Sequence, residues 1–195
     1  MPALVINSLM SASDKQRLVS LLAERSARRG SFTLASGKQS SLYIDARLTT
    51  MSPDGLSLIG PLGLDAIRNA PWPADSVGGL TLGADPIAYA ISYASAPTAS
   101  PIRAFTVRKE AKAHGTGKLI EGPFAAGDRV VVVEDVITTG SSAARAVDAV
   151  RAAGATVLGV LALVDRDEGG REFLEAMGLS VVSLVSAAEI LAVSP

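Results

Sequence analysis

The chain has 195 residues, no cysteine and a single histidine, His114. That length suits one α/β domain with a modest accessory lobe; the absent thiols exclude disulfides, a thiol nucleophile and cysteine-ligated zinc, and one histidine rules out a His-rich metal site. A net charge of −1 with 48% hydrophobic residues speaks for a sizeable core and against general attraction to nucleic acid or membrane. Met1 to Met10 carries no basic n-region before its apolar residues, so no signal peptide is expected. The longest charge-free apolar stretches, such as Val157 to Val164, fall far short of the ~20 residues that span a bilayer. A cytoplasmic protein is the expectation.

In chain order, Ser13 to Arg29 predicts a helix, with Ser13 as its cap and Leu18, Leu21 and Leu22 as an apolar stripe. Ser31 to Arg47 predicts a hairpin turning at Ser36-Gly37, with Phe32, Leu34, Leu42 and Ile44 alternating. Pro53 starts a second helix that runs to about Arg68. After the Pro71-Trp72-Pro73 link come a strand (Ser76 to Leu80), a helix (Pro86 to Ser95) and a strand (Ile102 to Val107). Trp72 is expected to pack on the adjacent prolines. Residues 108 to 123 are polar and glycine-rich without a period, which predicts a loop. Beyond it lie a strand (Arg129 to Val133), a helix (Ser142 to Ala153), a strand (Thr156 to Val164), a helix (Gly170 to Met177), a strand (Ser180 to Leu184) and a helix (Ala187 to Ala192). Alternating strands and helices with near-continuous apolar strands imply a parallel sheet covered on both faces. Ligands of such sheets sit at the carboxyl ends of strands, near a topological switch point.

One such end is unusual. Val130 to Val133 run into Glu134 and Asp135, and then into Val136-Ile137-Thr138-Thr139-Gly140-Ser141-Ser142 at a helix start. A hydroxyl- and glycine-bearing turn at a helix N-terminus points backbone N–H groups and a partial positive charge at an anion. The two acids cannot serve that anion, and a ribose diol is their natural partner. The segment has neither the glycine-lysine pattern of an NTPase phosphate loop nor the Gly-x-Gly-x-x-Gly of dinucleotide binders. Together these features point to a sugar carrying a 5-phosphate. The segment resembles the 5-phosphoribosyl diphosphate (PRPP) motif of the type I phosphoribosyltransferases.

The loop Arg108 to Lys118 sets four cations and His114 against one acid. A positive loop beside a phosphate-cradling turn suits a departing diphosphate, whose charge grows in the transition state, and closure would exclude water. Its Arg-Lys-Glu-x-Lys-x-His-Gly pattern is similar to the catalytic loop of the orotate phosphoribosyltransferase family. Ser31 to Asp45 resembles that family's N-terminal hairpin, Gly78 to Ile87 its diphosphate loop, and Val164 to Gly170 the segment with its orotate-binding arginine.

The resemblance spans about Ser31 to Gly170 and implies a type I phosphoribosyltransferase fold. That is an α/β, doubly wound, mainly parallel sheet with a small hood made by the N-terminal hairpin and chain ends. It implies a single domain over 1–195, with hood contributions from about 1–50 and 166–195. The implied reaction joins PRPP to orotate, giving orotidine 5′-phosphate and diphosphate, with Mg²⁺ held mainly by substrate. PRPP would be bound by Arg108, Lys109, Lys112, His114, Glu134, Asp135, Val136, Ile137, Thr138, Thr139, Gly140, Ser141 and Ser142. Lys112 and Asp135 would be catalytic, and Thr138 and Arg166 would bind orotate, a guanidinium fork suiting its carboxylate or ring oxygens. Family members are homodimers whose loop closes over the partner's site.

Three positions depart from the pattern. Ala35 and Gly83 stand where some members carry lysine, and Ala113 replaces an acid. Tyr43 could line the pyrimidine pocket or simply pack, and Asp165 could pair with Arg166. Other readings are a purine-specific type I transferase and a PRPP-sensing, nucleic-acid-binding regulator. The loop and Arg166 argue against the first. The balanced net charge of −1 argues against the second.

Overall fold

The computed structural model describes residues 3–33, 39–110 and 118–193. Helix α1 (Ala3–Leu21) passes into a π-helical turn (Leu22–Ser26) and then into the antiparallel pair β1 (Ala27–Thr33) and β2 (Gln39–Ile44). Two helices follow, α2 (Arg47–Thr50) and α3 (Pro53–Asn69). The remaining order is β3 (Ser76–Leu80), α4 (Ala84–Ser95), β4 (Arg103–Val107), β5 (Ile120–Glu121), β6 (Arg129–Ile137), α5 (Ser141–Ala152), β7 (Thr156–Asp165), α6 (Gly170–Ala176), β8 (Val181–Ser186) and α7 (Ala187–Val193).

The main sheet has the strand order β5-β4-β3-β6-β7-β8, parallel throughout except for the antiparallel β5 edge. From β3 the chain moves outward to β4, then returns to the other side of β3 to lay down β6. The boundary between β3 and β6 is therefore the topological switch point. Strand β6 shows why both faces are covered. Val131 and Val133 join a core with α1, α3, α4 and α7, whereas Val130 and Val132 face a second core with α5 and Leu174 of α6. All four valines are fully buried.

Several expected boundaries shift. Ala27 to Arg29 are strand rather than helix, because they pair with Ile44, Tyr43 and Leu42. Ser13 lies inside α1 and caps nothing, since the helix begins ten residues upstream at Ala3. The predicted loop contains β5, which is held to Thr106 and Val107 of β4. Strand β6 continues four residues past Val133 because Glu134, Val136 and Ile137 pair with Ala162, Val164 and Asp165 of β7. The helix at Pro53 begins as read, with the Ser52 hydroxyl accepting from the Gly55 N–H at 3.1 Å. The Ser36-Gly37 turn lies outside the described residues.

The two ends of the chain meet on one side. Lys15 of α1 pairs with Glu189 of α7 at 2.8 Å, and Arg29 of β1 donates to the Leu191 carbonyl at 2.9 Å. With the hairpin they form the small hood. Trp72 is buried at 5% exposure. Its ring presses on Gly159 of β7 so closely that a Cβ there would sit 2.3 Å from Cζ2. The indole thus packs on β7. Replacing Trp72 with alanine should cost about 3–5 kcal/mol of stability, read as a lower midpoint in urea unfolding.

Candidate active site

The register of the central strands opens a cleft. Pairing between β3 and β6 stops at Gly78 and Val132, yet β6 runs on to Ile137 beside β7 alone. The edge of β6 from Val133 onward therefore faces the Thr81–Gly83 turn that links β3 to α4. A cleft of about 260 Å³ lies here. Its walls come from Tyr43 to Arg47 after β2, from Leu80 to Gly83, from Lys109, from Glu134 to Val136 and from Ser142. A larger groove of about 1000 Å³ lies at the opposite end of the sheet. Two of its arginines are already engaged, Arg129 by Asp75 and Arg103 by Asp128, and it holds none of the residues expected to do chemistry.

Of the two adjacent acids, Glu134 is buried and Asp135 half-buried. Glu134 Oε2 has no hydrogen-bond partner. Burial pushes its carboxyl well above the ordinary range, and the neighbouring Asp135 charge adds to the effect. The Asp135 carboxylate accepts from the Val136 N–H at 2.9 Å and lies against Gly83, where a Cβ would come within 2.3 Å of Oδ2. Gly83 is thus spatially tied to Asp135: a lysine at that position would have to push the carboxylate aside.

Beyond β6, the chain turns through Thr138 to Gly140. Gly140 has φ +77°, a left-handed conformation open to glycine, and its tight passage by the Gly170 carbonyl leaves no room for a side chain. The turn delivers Ser141 and Ser142 to the start of α5, with the Thr139 and Ser141 hydroxyls 3.1 Å apart. Ile137 is buried in the core beneath.

Arg108, just past the end of β4, is not among the residues lining the cleft; its guanidinium is 3.6 Å from Glu121 and its Nε is buried without a partner. Lys109 lines the cleft with an exposed side chain, and its carbonyl accepts from Arg145 at 3.0 Å. Lys112, His114, Ala113, Ala35 and Lys38 lie outside the described residues. Thr138 and Arg166 stand at the ends of neighbouring strands, the Arg166 N–H donating to the Ile137 carbonyl at 3.0 Å. The Arg166 side chain is buried and paired with Glu168. Asp165 does not pair with Arg166. It accepts from Arg171 Nε at 2.8 Å and from the Asp167 N–H at 3.0 Å.

Sequence reasoning passed over Asp45 and Arg47. Arg47 donates to both Asp45 oxygens, at 2.8 and 3.0 Å. The pairing holds the Asp45 carboxyl below the usual range and raises the guanidinium, with a smaller contribution from Asp135. The Asp-x-Arg spacing at the end of a hairpin strand was the available signal. Tyr43 lines the cleft and also rests on Phe32, ring centroids 5.6 Å apart.

Acids on one wall, an anion-accepting turn at the floor and cations at the rim can together hold a sugar bearing phosphates at both ends. Among the described residues no three His, Asp or Glu side chains converge as a metal site, and no helix is long and apolar enough to cross a membrane.

Residues 77–182 match the model of the phosphoribosyl transferase domain family. Over 91% of the chain and 98% of the relative, the sequence is 46% identical to an orotate phosphoribosyltransferase of Aquifex aeolicus. Among solved structures, orotate phosphoribosyltransferase of Mycobacterium tuberculosis H37Rv superposes with a TM-score of 0.79 at 45% identity, covering 91% of this chain and 98% of that one. The same enzyme in complex with PRPP superposes with a TM-score of 0.75 at 42% identity and the same coverage.

The burial of Glu134 sets a stability test. Its folded carboxyl is raised, so the protonated form is favoured, and stability falls as pH rises from the ordinary glutamate range through the raised value. Glu134→Gln removes that loss. Its melting midpoint should match the parent at about pH 4 and exceed it at about pH 8, as followed by circular dichroism.

Proposed function

The chain belongs to the orotate phosphoribosyltransferase family, and from that membership we propose how its cleft works. The enzyme transfers the phosphoribosyl group of PRPP to orotate, giving orotidine 5′-phosphate and diphosphate, the ribosyl-transfer step of pyrimidine biosynthesis. The observation that carries the reading is the pair Glu134-Asp135 placed between the Thr138–Ser142 turn and the Thr81–Gly83 turn.

Orotate N1 attacks the anomeric carbon as diphosphate departs. Positive charge develops on the sugar ring and negative charge on the leaving group. Glu134 and Asp135 hold the ribose 2- and 3-hydroxyls and offset the former. Backbone N–H groups and hydroxyls of Val136 to Ser142 take the 5-phosphate. Arg108, Lys109, Lys112 and His114 meet the diphosphate, with Lys112 and Asp135 as the catalytic groups. Thr138 and Arg166 receive orotate, whose carboxylate competes with Glu168 for the guanidinium. No protein nucleophile is required.

Magnesium fits the donors present. Two carboxylates border the cleft, one with an unpartnered oxygen, and Mg²⁺ favours a few such oxygens together with substrate phosphates. Asp135 and Glu134 would hold it only in part, through the ribose, while diphosphate oxygens supply most ligands. When bound it neutralises charge on the leaving group.

Residues 1–195 act as a single domain, its hood drawn from about 1–50 and 166–195, in the cytoplasm and without a nucleic-acid or membrane partner. A homodimer with shared sites is supported by the exposed apolar residues Leu82, Tyr89 and Tyr93 on and just before α4, next to the cleft turn.

With PRPP and Mg²⁺, absorbance loss of orotate should report turnover, while adenine, hypoxanthine and guanine stay unreacted. Faster use of any purine would overturn the assignment. The shared site has its own test. Lys112→Ala should lower kcat by roughly 10²–10³, and mixing it with inactive Asp135→Asn should restore activity above either parent, since one heterodimer site is then intact. A mixture that stays inactive despite verified subunit exchange would mean that the loop serves its own chain.

A further inference from the structure

Asp85 occupies an odd place for an acid. It lies in the first turn of α4, directly after the Thr81–Gly83 turn that walls the diphosphate side of the cleft, where a carboxylate facing inward would repel the ligand. It does not face the ligand. The side chain is buried at 8% exposure, and both oxygens are engaged by hydroxyls. Oδ2 accepts from Thr81 Oγ1 at 2.7 Å and Oδ1 accepts from Thr106 Oγ1 at 2.8 Å. Tyr89, one turn further along α4, places its hydroxyl 2.8 Å from Thr106 Oγ1 and so buttresses the same bond.

The turn has little else to hold it. Leu82 points outward at 54% exposure, and Gly83 has no side chain. Its backbone is tied to β4 by the Thr81 N–H, which donates to the Val107 carbonyl at 2.8 Å. Among the described residues, the side-chain anchoring of the turn therefore runs through Thr81 to Asp85, and from Asp85 to Thr106 of β4. A carboxylate in the first turn of a helix is also favoured by the helix dipole. Its position is thus stable although the surrounding site attracts anions.

We propose that Asp85 is a positioning residue for diphosphate. By bridging Thr81 to Thr106 it fixes the Thr81–Gly83 turn in the conformation that receives the leaving group. The inference rests on the phosphoribosyl-transfer reading above and assigns a role within it to a residue that touches no substrate.

Titration calorimetry on the full-length protein tests it with two probes, Mg–diphosphate and ribose 5-phosphate. Ribose 5-phosphate occupies the Glu134-Asp135 wall and the Thr138–Ser142 turn but has no diphosphate. Asp85→Ala should weaken diphosphate binding by roughly tenfold, the loss expected for a charge-assisted hydrogen bond, and leave ribose 5-phosphate affinity unchanged. Asp85→Asn should recover most of the loss, because an amide can accept from one hydroxyl and donate to the other. If Asp85→Ala does not fold, Thr106→Val decides the matter: it keeps the strand's shape, removes the bond to Asp85 together with that to the exposed Tyr89 hydroxyl, and should weaken diphosphate alone by several-fold. Equal loss of both probes, or no loss of diphosphate, overturns the positioning role. A wild-type protein that consumes no orotate would instead refute the functional reading, whatever the variants do.

Discussion

The site depends on two neighbouring parallel strands that part company. β3 and β6 share hydrogen bonds only as far as Gly78 and Val132. β3 then ends at Leu80, while β6 continues under the pairing of β7. Wherever a strand outruns its neighbour, its edge carries backbone groups and side chains with no sheet partner on that side. Here the overrun carries Glu134 and Asp135. Helices α4 and α5 pack on opposite faces of the sheet, and among the described residues no helix or strand fills the gap between the two strands. The cleft, the turn at α5 and the burial of Glu134 all follow from that unequal length.

Burial then divides the labour of two adjacent acids. Both acids border the cleft, but Glu134 is the more deeply buried of the two. Desolvation favours the protonated form of Glu134. The Asp135 carboxylate rests on Gly83. Arg47 stands across the cleft, already committed to Asp45. An isolated cation facing Asp135 would neutralise the acid before any sugar arrived. A cation with its own partner tempers that attraction while keeping positive potential at the rim.

Much of this was legible in the residues. A run of valines buried on both faces has few alternatives to a central parallel strand, and the acids, turn and helix start that follow announced an anion site. Lys109, Glu134, Asp135 and Ser142 were marked from sequence and do border the cleft. The strand ends were not legible, because Glu134 to Ile137 become strand only through pairing with Ala162 to Asp165, and Ala27 to Arg29 only through pairing with Leu42 to Ile44. Local pattern carries no record of such distant partners. Asp45 and Arg47 were missed for a related reason: an acid and an arginine two apart look like ordinary surface until the hairpin sets them across from Asp135. The place of Asp85 was not legible either, since its meaning lies in hydroxyls that the fold brings from the turn after β3 and from β4.

The junction of the chain's two ends bears on how the protein is made. Arg29 reaches a carbonyl 162 residues away in sequence, and Lys15 is held by Glu189. During synthesis the first helix leaves the ribosome long before α7 exists. Until then Leu18 and Leu22, fully buried in the finished molecule, lack part of their cover. The sheet from β3 to β7 can assemble meanwhile from neighbours close in sequence, whereas the hood waits for the longest loop in the molecule to close. The nascent chain therefore passes through a stage in which the parallel sheet is formed and an apolar N-terminal helix is still searching. That stage is the one in which a chaperone, or another unfinished copy, would find something to bind.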